Sequence, residues 1–224
     1  MPRLVLVVPC RNEGSRLKAQ PFLRLVAANR DVQLLFVDAG SRDGTAAILA
    51  DMASGGGTHI SVLTLPRRAG LAEASRRGVL AAFGQGPALV SVWDADLSTP
   101  LSELASFLEV FDAHPAVDIV MGARIRMLGR DIRRRRLPHY AERVFAGVAS
   151  FLLGVPVYDT QCGARVFRAT DAIAKAFGSP FHSRWMMNVE ILARYLAATG
   201  VASAPAKLYE LPLRTWSSYD RSHS

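Results

Sequence analysis

Along the first half of the chain, short apolar runs alternate with segments whose apolar residues recur every three or four positions. LVLVVP (4–9), QLLFVD (33–38), HISVLTL (59–65) and ALVSVWD (88–94) are rich in Val, Leu and Ile. Such runs fit strands buried on both faces, as in a parallel sheet. Between them, Leu17, Phe22, Leu25 and Val26 form a stripe within 16–29. Gly44 to Met52 and the alanine-rich Leu71 to Phe83 read as helices in the same way. Ser102 to Phe111 puts Leu104, Phe107, Leu108 and Phe111 on one face, with Ser102 in the N-cap region. Strand–helix alternation of this kind predicts an α/β fold with a mainly parallel sheet and right-handed crossovers. The glycines at 55–57 are a loop between units; no Lys-Ser or Lys-Thr follows, so they are not a phosphate loop.

The second half is patterned differently. DIVMGAR (118–124) reads as another strand, followed by an arginine-rich segment and an apolar helix from about Ala141 to Leu153. A compact motif, VYDTQCGARVF (157–167), precedes helices near 170–177 and 187–198 and a last strand, LYELPL (208–213). Neither an internal repeat nor a low-complexity linker divides the chain, so residues 1–224 are expected to form a single domain.

With 224 residues, 50% of them hydrophobic and 21% charged, the chain can bury a full core and is too apolar to be disordered. Its two cysteines, Cys10 and Cys162, make neither a disulfide framework nor a four-ligand zinc site. The opening MPRLVLVVPCRNE stops being apolar at Pro9, and charge returns at Arg11 and Glu13, which suits a first strand and not a signal sequence. The longest uncharged stretch, at 144–157, falls short of the ~18 residues of a spanning helix. A cytoplasmic protein is expected, free or peripheral on the inner face of the membrane.

A net charge of +8 points to an anionic partner: nucleic acid, membrane surface or phosphorylated substrate. Its placement narrows the choice. Residues 124–143 hold eight arginines against Asp131 and Glu142, or +6 of the +8. Nucleic acid is disfavoured, because only Tyr140 and Phe145 supply nearby aromatics and no known module is present. Arginines beside an apolar helix suit an anionic membrane interface or a lipid phosphate.

Ligand sites in open α/β sheets lie outside the carboxyl ends of strands. At those ends stand Pro9, Asn12 and Glu13, then Asp38 with Asp43 in GSRDGT, then Asp94-Ala95-Asp96. Strand alternation would put Asp94 and Asp96 on one side, where two carboxylates repel unless a cation lies between them. Hard divalent ions such as Mg²⁺ or Mn²⁺ take oxygen ligands and keep waters or phosphates, so this pair suits a metal-bound nucleoside diphosphate. Trp185, Trp216 and His182 could contact a sugar or be half-buried packing. Cys162 reads as a small packed residue and not a nucleophile.

VVPCRNE (7–13), VDAGSRDGT (37–45), WDADLSTP (93–100), GAR (122–124), DTQCGARVF (159–167) and RWMMNVEIL (184–192) together resemble the family 2 glycosyltransferases of the GT-A fold. The polyprenyl-phosphate hexose synthases are most similar, dolichyl-phosphate β-glucosyltransferases among them. The resemblance implies a nucleotide-sugar-binding half, 1–117, and an acceptor-side half, 118–224. Pro9, Asn12 and Glu13 would line the nucleotide pocket and Asp38 would meet the base. Asp94 would face the ribose or diphosphate and, with Asp96, the metal, Mg²⁺ or Mn²⁺. Arg124, Arg134 and Arg135 would meet the acceptor phosphate. Gln161, Trp185 and Glu190 would sit near the sugar and acceptor, and Asp159 would be the base if one is needed.

The chain departs from that pattern in three places. Where relatives carry Gly-Lys it has Gly70-Leu71, leaving Arg67, Arg68 or Arg76 to supply charge to the donor diphosphate. Where they carry Asp-Val-Glu it has Asn188-Val189-Glu190, and their W…GSK ending survives only as Trp216. The implied reaction is inverting transfer of a hexose, glucose by resemblance, from UDP-glucose to polyprenyl phosphate. A phosphate monoester, with a second pKa of about 6, needs its charge countered more than it needs a base. Two alternatives stay open: a family 2 transferase with a soluble hydroxyl acceptor, and a non-catalytic nucleotide-sugar-binding protein.

Overall fold

The apolar runs of the first half become strands β1 (Leu4–Cys10), β2 (Val32–Asp38), β3 (Ile60–Thr64) and β4 (Leu89–Val92) of one sheet. They are seen in a computed structural model that describes residues 1–66, 69–133, 136–183 and 185–218, with 136–144 described as backbone only. Between them lie helices α1 (Ala19–Ala28), α2 (Thr45–Gly55) and α3 (Leu71–Phe83), and α4 (Leu104–Ala113) follows β4. The second half supplies β5 (Ile119–Ala123), β6 (Asp131–Arg133), α5 (Arg136–Leu153), β7 (Arg165–Arg168), α6 (Asp171–Gly178), α7 (Met187–Thr199), α8 (Ala204–Lys207), β8 (Leu208–Pro212) and β9 (Thr215–Ser217).

The main sheet runs β3-β2-β1-β4-β7-β5-β8. β1 pairs parallel with β2 and β4, and β2 with β3. β7 is antiparallel to both of its neighbours, β4 and β5, while β8 returns parallel to β5. The sheet is thus mixed and mainly parallel, as expected. β6 and β9 form a separate parallel pair.

Alternation along β1 splits the core into two layers. Leu4, Leu6 and Val8 face Phe22, Leu49 and Phe107 of α1, α2 and α4. Val5 and Val7 face the layer of Val79, Phe177 and Tyr195 from α3, α6 and α7. Gly78 lets α3 lie close on the sheet, because a Cβ there would overlap Val7 and Val37.

Three details differ from the sequence expectation. Ser102 does not cap α4: a 3-10 turn, Leu101–Glu103, precedes that helix, and no side chain at its N-cap bonds to it. The Glu103 carboxylate instead accepts the backbone N–H groups of Arg214 and Thr215 at 3.1 and 2.9 Å. α5 begins at Arg136, earlier than Ala141. Strands β6, β7 and β9 had no signal, because at three or four residues each they are too short for periodicity to register. Among the described residues no helix is long and apolar enough to cross a membrane.

Candidate active site

The carboxyl ends of β1, β2 and β4 open on one edge of the sheet, and the order of strands reverses at β1, with β2 on one side and β4 on the other. A cleft of about 410 Å³, partly open to solvent, lies at this switch point and is lined by Pro9, Glu13, Asp94, Asp96, Gln161 and Arg165 among others. That is the place and the size expected for a ligand site in an open α/β sheet.

Asp94 and Asp96 meet in this cleft, but the strand pleat does not put them there. β4 ends at Val92, and the two acids sit in the turn that follows. Leu97, at φ 55°, closes that turn by donating its N–H to Asp94 O at 3.2 Å. Asp96 Oδ1 accepts the N–H and Oγ of Ser98 at 2.9 and 2.8 Å. Buried Trp93 pins the far side by donating Nε1 to Thr99 O at 2.8 Å. The Asp94 carboxylate accepts no hydrogen bond from the described residues. Burial, then repulsion by Asp96, pushes it up to about 6 against the pull of Arg165 and Arg124. It lies so close to the backbone of the QCG motif that a Cβ at Gly163 would overlap it.

The loops after β1 and β2 are knitted to each other. Asn12, at φ 54°, accepts Arg42 N–H on Oδ1 at 2.9 Å. Asp43 accepts Gly14 N–H at 2.9 Å, and Thr45 Oγ1 accepts Glu13 N–H at 2.7 Å. Buried Glu13 lines the cleft, with Oε1 on Arg16 at 2.6 Å and Oε2 without a partner among the described residues. Burial raises its pKa although Arg16 opposes the shift. Asp38 is buried behind this layer, with Oδ1 held by the N–H and Oγ of Ser41 at 2.9 and 2.6 Å.

Several expected contacts are not brought to the cleft. Arg76 was expected to stand in for a lysine at 71. Its guanidinium instead forks onto Glu73, at 2.7 Å through both Nε and Nη2, and donates to the carbonyls of Phe177 and Gly178. It clips α3 to α6. Leu71 does line the cleft, so no cation takes its place on that helix turn among the described residues. Arg68, Arg134 and Arg135 lie outside the described residues.

Arg124 and Asp159 were expected as a phosphate contact and a base; they are each other's partner. Arg124 Nε and Nη2 donate to the two Asp159 oxygens at 2.7 and 2.8 Å, and both residues are buried. Asp159 also accepts the N–H of Arg124 and of Gln161, each at 3.0 Å. Burial works against the charge, but these bonds hold Asp159 below the usual carboxylate range. The Arg124 guanidinium lies over the Trp216 ring, 5.0 Å from its centre. The two Asp159 oxygens meet these four donors, which hold Asp159 as an anion beside Arg124.

Glu190 is also committed away from the cleft, accepting His182 Nδ1 at 2.8 Å and Arg194 Nη2 at 2.7 Å. Trp185 does stand at the cleft lip, 64% exposed and tilted against Phe145. Gln161 lines the cleft with its Nε2 buried and unpartnered. Burial pushes the Cys162 thiol up to about 12, as expected of a packed residue. The charged cleft residues that the sequence reading passed over are Arg16 and Arg165; Arg165, at the start of β7, had as its signal a basic residue two positions after the QCG motif.

A mixed sheet of this order with two carboxylates at its switch point defines the GT-A class of glycosyltransferases, and known structures bear out the fold. Glucosyl-3-phosphoglycerate synthase from Mycobacterium tuberculosis, in complex with Mn²⁺, UDP-glucose and phosphoglyceric acid, superposes with a TM-score of 0.72 at 17% identity, covering 99% of this chain and 73% of that one. The same enzyme with Mn²⁺, UDP and glucosyl-3-phosphoglycerate gives 0.71 at 17% identity, covering 98% and 73%. The profile described as Glycosyl transferase family 2 matches residues 5–174, and the chain belongs to that family. Polyprenol monophosphomannose synthase of Mycolicibacterium smegmatis is 30% identical over 171 residues, 74% of this chain and 62% of that one. An undecaprenyl-phosphate 4-deoxy-4-formamido-L-arabinose transferase of Sodalis glossinidius is 30% identical over 170 residues, 74% of this chain and 49% of its own length. The chain thus spans only part of each of these curated relatives.

Proposed function

We propose that the chain transfers a hexose, glucose, with inversion from UDP-glucose to a polyprenyl phosphate at the inner face of the membrane. The observation that carries this reading is the Asp94 carboxylate, enclosed beside Asp96 in the cleft with no donor from the described residues. Such a group calls for a ligand that brings positive charge or hydrogen-bond donors. The names of the relatives support a polyprenyl-phosphate acceptor, and the titles of the structural neighbours support a uridine diphosphate donor with a divalent metal.

Mg²⁺ or Mn²⁺ fits the residues present. Among the described residues no three metal-ligating side chains cluster, so Asp96 and Asp94 would supply two oxygens and phosphates and water the rest. A divalent ion bound there would offset charge developing on the leaving diphosphate. Around it, Pro9, Asn12 and Glu13 would frame the nucleotide. Asp38, whose other oxygen accepts no hydrogen bond among the described residues, would meet the base.

The state of Asp159 favours phosphate over hydroxyl as acceptor. A hydroxyl needs a base within hydrogen-bond reach, and the expected base is sequestered by Arg124. A phosphate monoester is already ionised and needs cations, which the 124–143 segment holds in excess. On α5, Val148, Phe151 and Leu152 are 53, 86 and 74% exposed, an apolar face suited to a lipid surface.

The test is a donor panel of radiolabelled UDP- and GDP-sugars with Mg²⁺ or Mn²⁺, offered polyprenyl phosphate or soluble sugars. Transfer from UDP-glucose to the lipid phosphate alone is expected. Transfer to soluble sugars without lipid would replace this reading with the soluble-acceptor one. Calorimetric UDP binding without any turnover would leave a non-catalytic binding protein.

A further inference from the structure

Arg165 and Asn188 face each other in the cleft with no role yet assigned to the pair. Arg165 is only 6% exposed, yet the oxygens it bonds are neutral. Its Nη1 donates to Asn188 Oδ1, its Nη2 reaches Gly163 O at 3.4 Å, and its Nε has no partner among the described residues. It forms no ion pair among the described residues, although Asp94 acts on it through space. A buried guanidinium held only by neutral oxygens is costly until an anion joins it. Asn188 is fixed in this pose from its other end, where Nδ2 donates to Thr160 O at 2.7 Å, leaving Oδ1 for the arginine. A carboxylate at 188 would pair with the guanidinium as a fork and quench its charge; the amide does not.

We propose that Arg165 is the phosphate-binding cation of the cleft, and that Asn188 is a positioning residue that holds it by a neutral oxygen so that its charge stays available to a ligand phosphate. This rests on the nucleotide-sugar reading above and adds the side chain that meets the anion. It also accounts for a working cleft with Leu71 at the start of α3: the cation comes from β7. The phosphate could be the donor's diphosphate or the acceptor's monoester, and the experiment separates them.

The test is calorimetric titration of the full chain with UDP at saturating Mn²⁺, and separately with a short-chain polyprenyl phosphate in detergent. Asn188→Asp is expected to weaken phosphate binding about tenfold, and Arg165→Gln at least as much, with Arg165→Lys between that variant and wild type. Asn188→Ala, which removes the same hydrogen bonds without adding charge, is expected to cost less than about threefold. A loss confined to UDP assigns Arg165 to the donor diphosphate, and a loss confined to polyprenyl phosphate assigns it to the acceptor; either supports the proposal. Undiminished binding by Asn188→Asp, or equal losses in Asn188→Ala and Asn188→Asp, would overturn it. Should Arg165→Gln fail to fold, the two Asn188 variants decide. A wild-type chain that binds neither ligand would sink the functional reading itself, and this proposal with it.

Discussion

Two groups of charged residues stand at the same edge of the sheet and are treated in opposite ways. In the cleft, Asp94 has no hydrogen-bond donor and Glu13 Oε2 no partner among the described residues, and Arg165 bonds only neutral oxygens. Beside it, Arg124 and Asp159 meet both oxygens to two guanidinium nitrogens, and Glu210 accepts the N–H groups of Tyr158 and Asp159. The strands explain the contrast. β1 and β4 are parallel neighbours whose following loops diverge and leave a cleft between them. Antiparallel β7 joins β4 to β5 and draws the 157–163 turn over the end of β5, where a lone charge would be enclosed. On the proposed function, charge left unpaired in the cleft serves a ligand, and charge paired beside it serves the fold. Substitution should therefore cost function on one side and stability on the other.

The strongest test of that division is Asp96→Ala. It should abolish transfer and donor hydrolysis while leaving the fold intact, the loss of its bonds to Ser98 costing about 1 kcal/mol; undiminished turnover would remove the metal role. Asp159→Ala should do the reverse and lose about 3–5 kcal/mol in urea unfolding, because Arg124 is left buried and unpaired. If it halted turnover at unchanged stability, Asp159 would return as a base and the contrast would collapse.

A smaller effect is expected at Asp94, whose carboxyl is raised to about 6. An acid with a raised folded pKa binds its proton more tightly in the native state. Its contribution to stability therefore falls as pH rises from the unfolded value of about 4 towards 6, and stays low above that. Asp94→Asn should then stabilise the protein at pH 7 by about 2 kcal/mol while weakening donor binding. In the wild type, donor binding should weaken as pH falls through about 6, where that carboxyl takes up its proton. A pH-independent affinity between 5 and 7 would count against the ligand role.

The mildest change is on the surface of α5. Phe151→Ser with Leu152→Ser should leave melting and soluble-donor binding intact and lower flotation with anionic liposomes about tenfold. Unaltered flotation would detach the apolar face from the membrane reading.

Much of this was legible before any tertiary structure. Leu71 to Phe83 is a helix to the residue, and the four apolar runs are the four strands of the parallel half. Asp94 and Asp96 were legible as a pair, though for the wrong reason: a turn closed by Ser98 and Leu97 presents them, and β4 has already ended. Arg76 looked like a spare cation on α3; Glu73, three residues before it, takes its fork, and the packing of α6 adds the carbonyls of Phe177 and Gly178.

By itself, then, the sequence determined the elements, their buried faces and the acids at the strand ends, because periodicity and burial are local properties of the chain. Which charges far apart in the chain are spent on each other was decided by tertiary structure. Arg124 and Asp159 are 35 positions apart and Arg165 and Asn188 23 apart, and each pair meets only once β7 has folded into the sheet. A charged side chain looks the same in a sequence whether it is paired or free, and its free energy depends on the partner that the fold delivers.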